Sequence, residues 1–170
     1  AMIMSCRCLI ESHPDYSFVA ARILRKKILD EGLSYYNKQT EKLSDHVQDY
    51  ADSLPKFIQA GINNQILNPE LAEFDTAKLI KAMDCSRDYQ FTYLGLQTLY
   101  DRYFIHDNLV RYELPQVFFM RVAMGLALRE DDPNARAIEF YELLSSFDYM
   151  ASTPTLFNSG TRHSQLSSCY

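Results

Sequence analysis

Between Thr40 and Gly61 the apolar residues Leu43, Val47, Tyr50, Leu54, Phe57 and Ile58 follow one another at steps of four, three, four, three and one. That spacing draws a stripe down one side of an α-helix. Similar stripes recur along most of the 170 residues, and only five Gly and six Pro interrupt them. An all-β sandwich needs a turn signal every ten residues or so, which this chain lacks. The sequence therefore predicts an all-α fold of at least six helices, with little sheet. Its length suits one domain with a single hydrophobic core.

The helices can be placed in order. Residues 1–12, with Ile3, Met4, Leu9 and Ile10 near helical spacing and no start signal ahead of them, read as the end of a helix whose beginning lies upstream. Pro14 breaks that segment, and Asp15 can cap a second helix with Phe18, Val19, Ile23 and Leu24 inward, ending near Gly32. Arg22, Arg25, Lys26 and Lys27 in its second half read as a solvated basic face. Thr40 can cap the striped helix, Pro55 predicts a kink or break within it, and Gly61 closes it. A short helix around Glu70 to Phe74 follows Asn68-Pro69, and Asp75 starts another with Leu79, Ile80 and Met83 inward. A dense apolar run from Gln90 to His106 predicts one helix, and Pro115 opens the next, through Arg129. Asp132-Pro133 opens the last long one, with Ala137, Phe140, Tyr141, Leu144 and Phe147 inward.

After Phe147 the texture changes. Ser152 to Thr161 is hydroxyl-rich, contains Pro154 and Gly160, and has no helical period, so it reads as a loop or the lead-in to a strand. Gln165 to Tyr170 alternates weakly, as a strand does. A strand that ends a helical domain has no partner within the chain. Leu166 to Tyr170 is therefore expected to be the first strand of a following α/β domain.

Several function classes are disfavoured. The net charge of −5 and the absence of a lysine-rich tail argue against wrapping a nucleic acid polymer. The apolar run from Val117 to Leu128 is cut by Arg121 and falls short of the roughly 20 residues a bilayer requires, so no membrane span is expected. No secretory signal is visible, which makes the cytoplasm the expected location. The four cysteines form no zinc-type spacing, the four histidines are scattered, and no phosphate-binding glycine loop is present, so no metal site is expected. Most of the twelve Tyr and ten Phe, at helical spacing, read as core.

Cys169 differs from the other cysteines. It lies in Ser167-Ser168-Cys169 at the start of the expected strand, in the region richest in hydroxyl and backbone donors. On spacing alone the favoured reading is a small buried hydrophobe in a strand. Two readings stay open at this level: an enzyme fragment, or an independent helical protein-interaction module whose aromatic faces dock a partner.

The segment Thr153-Pro154-Thr155-Leu156-Phe157-Asn158-Ser159-Gly160-Thr161, followed by Gln165-Leu166-Ser167-Ser168-Cys169, resembles the junction between the helical domain and the ten-stranded α/β barrel in large (alpha) subunits of class I ribonucleotide reductases. Upstream, Arg87 to Tyr93 with Tyr100 to Tyr103, the Glu113 to Ala123 segment, and Phe140 to Thr155 resemble the family's all-α region in order and spacing. His13 to Arg22 resembles the helix that follows its N-terminal ATP-cone.

The resemblance implies three parts: residues 1–12 as the end of the ATP-cone, 13–150 as the all-α domain, and 151–170 as a substrate loop and first barrel strand. It implies reduction of ribonucleoside diphosphates to 2′-deoxyribonucleoside diphosphates by a radical mechanism. Cys169 would be one half of the redox-active dithiol, with its partner cysteine beyond Tyr170. Thr153 and Ser168 would bind substrate, Thr153 near the phosphates. Implied partners are the small (beta) radical-generating subunit with its metal-dependent radical, thioredoxin or glutaredoxin as reductant, and a second large subunit in a homodimer or higher oligomer. ATP, dATP and other nucleoside triphosphates would act as allosteric effectors. No cofactor is expected on these 170 residues, and by themselves they are expected to be inactive.

Overall fold

The computed structural model describes residues 2–36 and 47–168. The mostly helical expectation holds: eight α-helices, two short 3-10 segments, one π-helical turn and a two-stranded hairpin occur among the described residues. The expectation of a single core does not hold. The chain forms two compact units, one from residues 1–44 and 85–115, the other from residues 45–84 and 116–170. Each is discontinuous in sequence, because each gathers its neighbours around a different buried helix.

In the first unit that helix is α2 (Tyr16–Tyr35), flanked by α1 (Met2–Cys8) and α5 (Tyr93–Thr98). Its packed face is Ala20, Ala21, Leu24, Ile28, Leu29 and Leu33, and the expected inward residues Phe18 and Val19 are exposed. Asp15 makes no side-chain cap, and the helix runs through Gly32 to Tyr35. Gly32 is not a terminator here. A Cβ at that position would come 2.7 Å from Leu114 Cδ2, so it marks a close approach inside the helix.

Of the basic cluster on α2, Arg22, Lys26 and Lys27 are exposed as expected, whereas Arg25 is committed to the fold. Arg25 is buried with its Nε 2.8 Å from Asp88 Oδ2, and its guanidinium lies 4.9 Å from the Tyr89 ring centre. Lys27 reaches the Tyr100 hydroxyl at 3.3 Å, and only Lys26 pairs locally, with Asp30. The solvated-face reading fails for Arg25 because Asp88, on the 3-10 segment Cys85–Gln90, arrives from 63 residues away.

The run from Gln90 to His106 is not one helix. Thr92 adopts an extended conformation and accepts from the Gly95 N–H, starting α5 afresh. The π-helical turn Leu99–Tyr103 follows, closed by the Phe104 N–H to the Leu99 carbonyl at 3.0 Å. It presents the Tyr100 hydroxyl to Glu31 at 2.7 Å, and the other Glu31 oxygen accepts from the Arg111 N–H. Burial, reinforced by the Glu31 hydrogen bond, raises the Tyr100 pKa. The hairpin β1 (His106–Asp107) and β2 (Val110–Arg111) turns through Asn108 and Leu109, both at positive φ.

The second unit assembles around α6 (Pro115–Ala127), which starts at the proline the sequence indicates. From Val117 to Met124 every residue is buried, so no face of this stretch is wet. The same unit holds α3 (Val47–Asn63), the 3-10 segment Pro69–Glu73, α4 (Thr76–Ala82), α7 (Pro133–Ser145) and α8 (Thr153–Asn158), with α3 packed on α4 and on the 3-10 segment, and α4 on α7. The stripe of α3 buries Tyr50, Leu54, Phe57 and Ile58 as expected, and the helix continues through Pro55 without a break. Burial of that face outweighs the roughly 3 kcal/mol that an interior proline costs. Thr40 and Leu43 lie outside the described residues.

Helix starts are the most legible features of this unit. Asn68 caps the segment at Pro69, Asp75 caps α4, and Asp132 caps α7 through the Ala135 N–H. Glu70 to Phe74 tightens into a 3-10 segment ending at Glu73. Inside, the Tyr141 hydroxyl donates to Gln116 Oε1 at 2.8 Å and accepts from the Asp84 N–H at 3.0 Å, so this buried polar group is satisfied. Phe147, expected inward, is partly exposed at positive φ just beyond the end of α7.

Candidate functional site

The segment whose composition reads as a loop contains a helix. Ser152 is extended, Pro154 lies in the first turn, and α8 spans Thr153–Asn158 with Leu156 buried. Six residues are too few for a readable period, which is why the hydroxyl-rich composition points to a loop instead. The N–H of Ser159 closes on the Thr155 carbonyl, and the chain then turns at Gly160, whose φ is +77°.

Three contacts from α6 hold that turn. Arg121, fully buried, donates from one terminal nitrogen to the Ser159 carbonyl at 2.7 Å, and both terminal nitrogens reach the Leu156 carbonyl at 3.3 Å. These carbonyls belong to the end of α8, where no intrahelical N–H is available. At the next residue of α6, the Val122 carbonyl accepts from the Ser159 hydroxyl at 2.7 Å. At Gly125 the two backbones meet: a Cβ there would collide with the Gly160 nitrogen and the Ser159 Oγ.

The chain beyond the turn is fixed from two sides. The Asn68 N–H donates to the Gly160 carbonyl, Leu67 pairs with Thr161 in an isolated antiparallel bridge, and the Arg162 N–H donates to the Ile66 carbonyl at 2.9 Å. The segment 65–68 is itself anchored, since the Ile66 and Leu67 N–H groups both bond to the Gly61 carbonyl. Gly61 therefore sits within α3, against Leu67, and does not end it. The return leg then runs back along α8. Asn158 Nδ2 donates to the Gln165 carbonyl at 2.7 Å, and the Thr155 hydroxyl donates to the Leu166 carbonyl at 3.4 Å.

By Leu166 the chain has thus come back one helical turn toward the start of α8, where Thr153 stands. Thr153 and Ser168 are both exposed, and Ser152 and Thr155 share a hydroxyl contact of 3.1 Å in the same turn. Leu166 to Ser168 form no strand among the described residues, because a ladder needs a neighbouring strand. Cys169 lies outside the described residues. Arg121, Gly125, Ser159 and Gly160 do not stand out in the sequence as site residues. One signal is there: a charge inside the apolar run from Val117 to Leu128 has to meet partners if the run is buried.

The match to the family described as "Ribonucleotide reductase, all-alpha domain" covers residues 89–164, from the 3-10 segment before α5 to the return leg beside α8. Over its full length the chain is 53% identical to the ribonucleoside-diphosphate reductase subunit alpha of Chlamydia muridarum. The chain belongs to the ribonucleotide reductase large-subunit family. It is also 41% identical, over 92% of its length, to the subunit alpha of Helicobacter pylori, and 32% identical, over 98%, to the large chain 2 of Saccharomyces cerevisiae. The chain spans about one sixth of these reductase subunits, 16% of the first and 18% of the other two. What the reductase family shares with it here is the N-terminal all-α region, to which the turn held by Arg121 belongs. No helix among the described residues is long and apolar enough to cross a membrane.

Proposed function

We propose that this chain is the N-terminal part of an enzyme that reduces ribonucleoside diphosphates to 2′-deoxyribonucleoside diphosphates. The observation that carries the proposal is the 53% identity across the whole chain to a subunit named for that reaction. In this reading residues 1–12 end an ATP-cone, 13–150 form the helical domain, and 151–170 supply a substrate loop and the first strand of a barrel.

The resemblance to the family gives roles to three residues in this reading. Removing the 2′-hydroxyl as water consumes two electrons and two protons, which two thiols provide as they join in a disulfide. Cys169 is one of those thiols, and the other belongs to the part of the protein beyond Tyr170. An external dithiol of the thioredoxin or glutaredoxin type then reduces the disulfide and is itself oxidised. Thr153 and Ser168 offer short hydroxyls to the substrate, Thr153 to its phosphates. Their exposure, and the return of the chain along α8, suit groups that meet a ligand.

Effector nucleoside triphosphates, the small subunit with its metal-dependent radical, self-association of the large subunit and a cytoplasmic location belong to the same reading. No residue of this chain is assigned to an effector or a metal.

The test is turnover by the full-length protein with its small subunit. Cys169→Ser should abolish repeated turnover with the physiological dithiol while leaving substrate binding intact. Thr153→Val should weaken binding of the diphosphate by about 0.5–3 kcal/mol, the range for one hydrogen bond including those to charged groups. Parent-rate turnover by Cys169→Ser would overturn the redox assignment.

A further inference from the structure

The geometry points to Arg121 as a positioning residue for the substrate loop: its guanidinium sets where the α8 turn, and with it Thr153 and Ser168, stands against α6. This rests on the reading of Thr153 and Ser168 given above.

The packing around Arg121 goes beyond what simple stability needs. Burying a guanidinium is costly, and an apolar side chain of similar length would fill the same space in α6. What the guanidinium adds is direction. Its planar donors fan onto the Leu156 and Ser159 carbonyls at once, which fixes both distance and rotation of the turn, as a single-point donor would not. The ring of Phe118, 5.2 Å from the guanidinium carbon, backs the side chain one turn earlier on the same helix. The Ser159 hydroxyl on Val122 and the contact of Gly125 with Gly160 then remove the remaining freedom to slide along α6.

Downstream, the fixed turn is connected to the ligand-facing residues by short, directional links. Toward the N-terminus the link is α8 itself, whose first turn carries Thr153. Toward the C-terminus it is the return leg, tied to Asn158 through Gln165 and to Thr155 through Leu166, just ahead of Ser167. A displacement of the turn must therefore be passed to both flanks together, and a shift of about 1 Å at a contact is enough to weaken binding or catalysis markedly.

The experiment uses the full-length large subunit with its small subunit, comparing Arg121→Lys, Ser159→Ala, Thr153→Val and the Arg121→Lys/Thr153→Val pair. Arg121→Lys keeps the charge and loses the fork. It should raise KM for the ribonucleoside diphosphate by about three- to thirty-fold, the equivalent of one or two hydrogen bonds, with kcat at saturation changed less than about three-fold. Ser159→Ala should move KM in the same direction by a smaller factor, and it serves alone if Arg121→Lys does not fold. The double variant should raise KM by less than the product of the two single effects, because Arg121 acts in part through Thr153, the remainder being its effect through Ser168. Amide exchange should quicken at residues 159–162 by about ten-fold or more and stay unchanged in α7.

A KM within about two-fold of the parent in both Arg121→Lys and Ser159→Ala would overturn the assignment. So would faster exchange spread evenly across the second unit, since that is what a purely structural residue gives. If Thr153→Val leaves KM unchanged while Arg121→Lys raises it and loosens residues 159–162, the Thr153 reading falls and the positioning role stands.

Discussion

Arg25 and Asp88, 63 residues apart in sequence, meet in the interior of the first unit with Nε and Oδ2 separated by 2.8 Å and both side chains almost wholly withdrawn from water. The pair ties α2 to the 3-10 segment Cys85–Gln90. Removing one partner takes the ion pair from the other charge in a poorly solvated place. Arg25→Met and Asp88→Ala should each lower stability by about 3–5 kcal/mol, whereas Arg25→Met combined with Asp88→Leu should restore much of the loss. Urea unfolding midpoints of the three variants decide it, and additive losses in the double variant would contradict it.

A second expectation concerns Gly125, mid-helix, where alanine normally gains about 1 kcal/mol of helix propensity. Here the added methyl would strike the backbone of Gly160, and overpacking costs about 1–3 kcal/mol. Gly125→Ala should therefore destabilise. Gly160→Ala should as well, since its φ is +77° and its Cβ would lie 2.8 Å from the Arg121 carbonyl. Thermal unfolding reads both, and a raised Tm for Gly125→Ala would show that the turn moves away freely.

The hairpin tip offers a change of opposite sign. Leu109 adopts a φ of 73° and is 80% exposed, next to Asn108 at 47°, so the turn has the geometry that favours Asn-Gly. Leu109→Gly removes a left-handed conformation costing about 1–2 kcal/mol and gives back part of that through the freer unfolded chain. A net gain of about 0.5–1 kcal/mol is expected from denaturant unfolding. A loss would mean that the leucine side chain packs more than its exposure indicates.

Alkaline pH should weaken the first unit through Tyr36. Its hydroxyl donates to the Tyr112 carbonyl at 2.9 Å, and burial, followed by the influence of Tyr112, Glu113 and Tyr35, pushes its pKa far up. A folded pKa above the unfolded value of about 10 means the stabilisation is complete below pH 10 and is lost as pH rises beyond it. Tyr36→Phe should flatten the fall in stability between about pH 10 and 11.5 by up to about 1.4 kcal/mol per pH unit, the weight of one proton. Identical slopes in parent and variant would contradict this.

Features that depend on neighbours in sequence are legible in the amino-acid order by itself. Asp132-Pro133, Asp75, Asn68-Pro69 and Pro115 start helices where they are expected, because a cap or a fixed proline φ acts over three or four residues. The stripe of α3 is legible for the same reason. The specific run from Thr153 to Ser168 is legible as a resemblance and not as geometry, since its short helix leaves no period to read.

What only the tertiary structure decided involves partners far apart in sequence. Nothing near Arg25 announces Asp88, and nothing near Gly32 announces Leu114, so one residue reads as a wet charge and the other as a helix stop. The run from Gln90 to His106 carries enough apolar residues for one helix, yet Glu31 and Arg111 draw Tyr100 into a π-helical turn. The division into two units and the seating of Ser159 and Gly160 on α6 follow from the same cause. Periodicity tells which residues leave water, whereas hydrogen-bond direction and the fit of one backbone against another are settled only when distant segments arrive.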